Sequence, residues 1–147
     1  MVHLPALWGG QYFLDIYLTE VHPSWVALEQ CVTQGQLPFW SSDILLGYPL
    51  ASNPQVGALY PLNWLFAGLF GAARGIVFSV WTHSLLGAFG FYALARRGGL
   101  SATAAVLASL IVVNSPFFLF YHQAIHGLIA LAWFPWILWC GWAAAET

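Results

Sequence analysis

The chain has 147 residues, 61% of them hydrophobic and only 5% charged. An ordinary soluble domain is about 25% charged, so this chain lacks the charges to build a solvated surface, and an integral membrane protein is expected. A net charge of −2 removes the electrostatic basis for nucleic-acid binding. Cys31 and Cys140 are far apart in apolar contexts, which fits neither a metal pair nor a disulfide framework. Both are read as packing residues.

Residues 1–10 (MVHLPALWGG) show neither the basic region nor the apolar run of a signal peptide. Residues 12–18 (YFLDIYL) are apolar around Asp15 and too short to span a bilayer. With an equally abrupt end, the expectation is a piece of a longer protein, the alternative being a small protein with a peripheral start. Residues 20–35 (EVHPSWVALEQCVTQG) predict an amphipathic helix near the membrane plane. Pro23 suits its first turn and Gly35 the position after its last. Val21, Trp25, Leu28 and Val32 recur at helical spacing, while Ser24, Glu29, Gln30, Thr33 and Gln34 fall elsewhere on the wheel. Glu29 and Gln30 are expected to stay accessible.

Residues 35–63 (GQLPFWSSDILLGYPLASNPQVGALYPLN) hold four of the eight prolines. Each proline removes a backbone donor and restrains its neighbour, so no long helix fits here. Trp40, Tyr48 and Tyr60 run through the stretch, which reads as an ordered loop at a membrane surface. Long ordered loops commonly carry function.

Residues 62–71 reach only about 15 Å as a helix. They are either re-entrant or the first turns of a longer helix bent at Gly71. Three spans then follow at 76–95, 101–121 and 127–145. Ser101 suits an N-cap, Pro116 bends the second span and Pro135 interrupts the third. The chain thus reads as residues 1–75, an external loop region, and 76–147, a three-span region. The Arg96-Arg97 turn is placed in the cytoplasm, which puts Asp15, Glu20, His22, Asp43, His122 and His126 on the outer side.

Several residues are candidates for chemistry. Asp15, an acid among apolar neighbours, is a functional candidate and a possible general base. Its alternative is a helix-capping or solvent-reaching carboxylate. Asp43 suits an Asx-turn to Leu45 or a divalent ion. Asn53 and Gln55 could meet sugar hydroxyls or a pyrophosphate, or bond within the loop. Tyr60 and Trp40 could stack on a sugar or anchor at the interface. Arg74 could bind a lipid phosphate bidentately. His122 and His126, four apart, would share a helical face, for phosphate contact or half a metal site. His83 is expected to bond a neighbouring helix.

The motifs G-x-L-P-x-W (Gly35, Leu37, Pro38, Trp40), G-x-P-L-A-x-N-P-Q (Gly47 to Gln55) and L-Y-P-L-N (Leu59 to Asn63) together resemble the bacterial YfhO-like membrane proteins. That family groups with the GT-C glycosyltransferases. The match is detailed over residues 13–63 and looser through the spans, including Trp133 and Pro135. The resemblance implies an all-α integral membrane enzyme that takes a sugar from a polyprenyl-phosphate carrier on the outer face. It implies that Asp15 matches the family's carboxylate of the first external loop and acts as the catalytic base; Asn53, Gln55, Tyr60, Arg74, His122 and His126, weighed above on their own chemistry, are the expected substrate contacts. The leaving phosphate would be stabilised by Arg74, by a histidine or by a bound divalent cation. Two departures stand out: Pro38-Phe39-Trp40-Ser41-Ser42 replaces the family's P-L-W-N-P, and the flanking spans are missing. Membrane lipid, the sugar carrier, and the remainder of the chain or a partner membrane protein are the implied partners. The alternative is a non-catalytic membrane scaffold or lipid-binding accessory.

Overall fold

The computed structural model describes residues 17–44 and 46–146. Among them, all regular structure is helical. A π-helical turn at Tyr17–Val21 leads into α1 (His22–Thr33). After the loop come α2 (Pro61–Arg97), α3 (Ala102–Val113), α4 (Pro116–Phe120) and α5 (Ile125–Ala145). One β-bridge, Ser41 with Tyr48, is the extended pairing present among the described residues. The chain divides after Ser79 into two compact units.

In the first unit, Pro23 lies in the opening turn of α1. The helix closes with Gly35 at φ +67°, a conformation that costs glycine nothing. The Gln36 N–H donates to Cys31 O at 2.8 Å and the Gly35 N–H to Val32 O at 3.1 Å. This is the Schellman pattern. Val21, Trp25 and Leu28 are buried as their spacing predicts, and Ser24 joins them. Glu29 departs from expectation. It is half-buried, and its Oε2 accepts the Ala72 N–H at 2.7 Å.

That bond marks a sharp reversal inside α2. Gly71 has φ 76° and ψ 168°, a region essentially open to glycine alone. In a straight helix, Asn63 and Ser79 would stand about 24 Å apart at 1.5 Å per residue. Instead the Ser79 hydroxyl donates to Asn63 Oδ1 at 3.2 Å. A Cβ on Gly75 would lie 2.9 Å from Phe66 O. Residues 61–70 and 72–79 therefore run antiparallel with nearly touching backbones. The short apolar stretch is folded back on the helix that follows, so the expected change of direction at Gly71 is a full reversal of the chain.

The proline-rich loop is ordered against this hairpin. Ser41 and Tyr48 exchange two backbone hydrogen bonds, at 2.8 and 2.7 Å. Leu46, at the tip, has φ 65° and is fully exposed. Gly47 lies so close to Trp40 that a Cβ would meet its ring at 2.6 Å. Leu50, Val56 and Ala58 are buried. Asn63 is fully buried, and its Nδ2 donates to the carbonyls of Val56 and Gly57, each at 3.3 Å. One amide thus ties the end of the loop to both arms of the hairpin.

In the second unit, α3 begins at the expected cap. Ser101 Oγ accepts the Ala104 N–H. The expected second span, 101–121, is not one bent helix. The chain breaks at Asn114–Ser115, and Ser115, in extended conformation, caps α4 with Pro116 at its start. The reason is local: a residue before proline is pushed out of the helical region, and Ser then serves as N-cap with Pro at N1. At about 18 Å, α3 falls short of a hydrocarbon core of about 30 Å. Pro135, expected to interrupt the third span, is carried inside a continuous α5.

The α2 segment of the second unit and α5 run parallel. Trp136 Nε1 donates to Leu86 O at 3.0 Å. A Cβ on Gly90 would meet Pro135 and Trp136 at 2.7 Å. Further along, Arg97 pairs with Glu146. Small residues allow this close approach, as between membrane helices. Two helices, α2 and α5, are long and apolar enough to cross a membrane. Residues 72–97 alone reach about 39 Å. Cys140, read as a packing residue, is exposed on α5, whereas Cys31 is buried.

Candidate functional site

Asp15 lies outside the described residues, as does Leu45, the expected turn partner of Asp43. Glu20, five residues after Asp15, reaches the loop. Gln55 Nε2 donates to Glu20 Oε2 at 3.4 Å, on an exposed surface. A bond this long lies at the weak end of the hydrogen-bond range.

Asn53 is committed to the loop. Its Nδ2 donates to the Tyr48 hydroxyl at 2.8 Å, and its Oδ1 accepts the Gln55 N–H at 2.8 Å. The second bond is an Asx-turn. Of the two amides singled out in sequence, Gln55 therefore presents its side chain at the surface and Asn53 shapes the backbone that carries it. Tyr60 is half-buried, and its backbone carbonyl accepts the Asn63 N–H at 3.0 Å. Trp40 is largely exposed, with Gly47 against its ring.

Asp43 is exposed. Its Oδ1 accepts from the Ser42 hydroxyl and its N–H donates to Ser41 Oγ, each at 3.3 Å. Burial pushes the Cys31 thiol above its ordinary value, and the Asp43 carboxylate adds to the rise. Arg74 is exposed, in the turn that follows the Gly71 reversal.

In the second unit, Ser84 Oγ and His122 Nε2 are 3.2 Å apart. The Phe118 and His122 rings stand nearly perpendicular, their centroids 6.2 Å apart. His126 is exposed. The two histidines do not share a helical face. His122 sits in a 3-10 turn (Tyr121–Gln123), and Ala124, at φ −120° and ψ 81°, separates it from α5. Among the described residues, no three His, Cys, Asp or Glu side chains gather to hold a metal ion. His83 is fully buried in α2.

Two residues that position the site escaped the sequence reading. Glu29 looked like a polar-face residue because its partner is a backbone N–H 43 residues away, which no local pattern records. Asn63 was legible only as the end of L-Y-P-L-N. The signal that could have found it is an amide in a strongly apolar helix, which must find partners. No family model, no curated protein and no solved structure matches the chain.

Proposed function

We propose that this chain is the loop-bearing N-terminal portion of a GT-C-like membrane glycosyltransferase. It moves a sugar from a polyprenyl-phosphate carrier to an acceptor on the outer face of a bacterial membrane. The motif series from Gly35 to Asn63, resembling the YfhO-like proteins, carries this reading. The acceptor hydroxyl attacks the anomeric carbon, Asp15 takes its proton, and the carrier phosphate leaves. Gln55, whose side chain meets Glu20 at the surface, is the loop amide that addresses the substrate. Arg74 is the cation suited to the phosphate.

Membrane insertion rests on exposure as well as composition. Only 17% of the most apolar window of α5 is buried, whereas an apolar core helix of a soluble protein is mostly buried. Trp133, Phe134, Ile137, Leu138 and Trp142 all stand open on it. Lipid is the solvent that makes such a surface favourable. A multi-pass arrangement with Arg96 and Arg97 in the cytoplasm and the loop outside follows from the positive-inside rule. In it, α3 and α4 together make the return crossing.

One observation favours a second reading, a non-catalytic scaffold or lipid-binding accessory. The Asn53 amide is used on both sides within the loop. Sugar transfer from a defined polyprenyl-phosphate sugar separates the two readings. Membranes bearing the chain, or a longer protein containing it, should transfer label. Asp15→Asn should abolish transfer with expression unchanged. Transfer unaffected by Asp15→Asn removes the catalytic assignment.

A further inference from the structure

The end of the second unit away from His122 gathers an arrangement that glycosyl transfer does not use. Arg97 lies over two indoles, its Cζ 5.2 Å from the Trp139 ring centroid and 5.8 Å from that of Trp142. Its Nη2 pairs with Glu146. Its Nε is buried and has no hydrogen-bond partner among the described residues. A buried guanidinium donor left unpaired is costly. Arg96, exposed next to it, donates to Leu100 O at 3.0 Å. The two arginines and Glu146 leave this end with one net positive charge.

We infer that this end of the unit seats the phosphate of an anionic phospholipid, an inference that rests on the membrane reading above. Three features favour that occupant. A phosphodiester matches the planar fork of Arg, and its oxygens can replace the Glu146 carboxylate on Nη2. Trp139 and Trp142 are the amphipathic side chains found at headgroup depth. A shallow apolar groove lined by Leu94, Ala95, Ala108 and Ser109 opens one turn before Arg97 on the same helix, where an acyl chain can lie. Glu146, 58% exposed, is then a built-in competitor. It holds Nη2 when no lipid is present and swings to water when the phosphate arrives.

The test reconstitutes the 147-residue chain in bilayers of phosphatidylcholine and phosphatidylglycerol. Native mass spectrometry after detergent release then counts the lipids retained. Phosphatidylglycerol should be enriched over phosphatidylcholine by about fivefold, the worth of roughly one near-surface cation. Arg97→Gln should remove the enrichment. Glu146→Gln, which keeps the cation and frees Nη2, should raise it and guards against loss of folding in the first variant. Unchanged or lower enrichment in Glu146→Gln overturns the proposal. Inorganic phosphate retained equally well in lipid-free detergent overturns the lipid as its source. A chain that alkaline carbonate strips from the bilayer overturns the membrane reading and this site with it. A chain that inserts without lipid preference overturns the site alone.

Discussion

The Glu29 carboxylate accepts the Ala72 N–H at 2.7 Å, at the first residue beyond the Gly71 reversal. It acts as an N-cap supplied by another helix. It satisfies one of the donors that every helix start leaves open, and it sets a negative charge at the positive end of the dipole. Glu29→Ala should destabilise the first unit by about 1 kcal/mol, and Glu29→Gln by less. Denaturant unfolding in detergent measures both. Amide exchange at Ala72 should quicken in the alanine variant. Equal stability of all three proteins would show that the bond contributes nothing.

The reversal itself is open to a distance measurement. Leu65 and Phe78 are both exposed and open to spin labelling, a label at 78 removing the ring stack with Phe70. A straight helix would hold these positions about 20 Å apart, and the antiparallel hairpin should bring them well below that. Gly71→Ala places a Cβ in a backbone conformation costing about 1–3 kcal/mol. It should broaden or lengthen the distance distribution. A single sharp peak near the straight-helix value in the unmodified chain would refute the hairpin.

Asn63→Ala strips a buried network of its centre. The carbonyls of Val56 and Gly57 and the Ser79 hydroxyl each lose a partner. About 1–3 kcal/mol of stability should go with them. The loop should then be cut faster by chymotrypsin at Phe39 or Trp40, whereas Tyr48 is shielded by the proline that follows it. A cleavage rate equal to that of the unmodified protein would mean that the loop is ordered by other contacts.

Much of this was readable from local chemistry. Pro23, Gly35 and Ser101 mark helix ends because proline, glycine and serine each satisfy or avoid a terminal backbone group by themselves. The Ser115-Pro116 break belongs to the same class: a Ser-Pro pair inside an apolar run is a cap-and-start signature, and weighing only the bend a proline imposes conceals it. Pro135 misleads in the opposite direction: α5 runs on through it, with the proline ring packed close to Gly90. The Gly71 reversal was half legible. Glycine at that point signals a change of direction, but its size depends on Glu29, Asn63 and Ser79, which meet only after folding. Asp15, the residue on which the catalytic reading turns, falls outside the described residues.

Cys31 offers a chemical probe of the loop. Burial first, and the Asp43 carboxylate second, hold its thiol above the ordinary range. Less of it is therefore thiolate at any given pH, and the thiolate is the reactive form. In a Cys140→Ser background, alkylation should be slow near neutral pH and accelerate only in alkaline solution. Asp43→Asn removes a negative charge, lowers the thiol pKa and should shift the rate profile toward lower pH. A profile unmoved by that change would mean that the carboxylate is too well solvated to reach the sulfur.

The proposed orientation has its own check. A cysteine at Ser52 should react with an impermeant maleimide applied outside intact cells, and one at Gly98 should not. The opposite pattern would invert the topology and move the loop away from an external sugar carrier.

The Arg97–Glu146 contact also acts as an address. Because α5 ends beside the arginine turn, the proposed topology puts any polypeptide fused after Thr147 in the compartment that holds Gly98. A fluorescent protein fused there should glow and an alkaline phosphatase should stay inactive if that compartment is the cytoplasm.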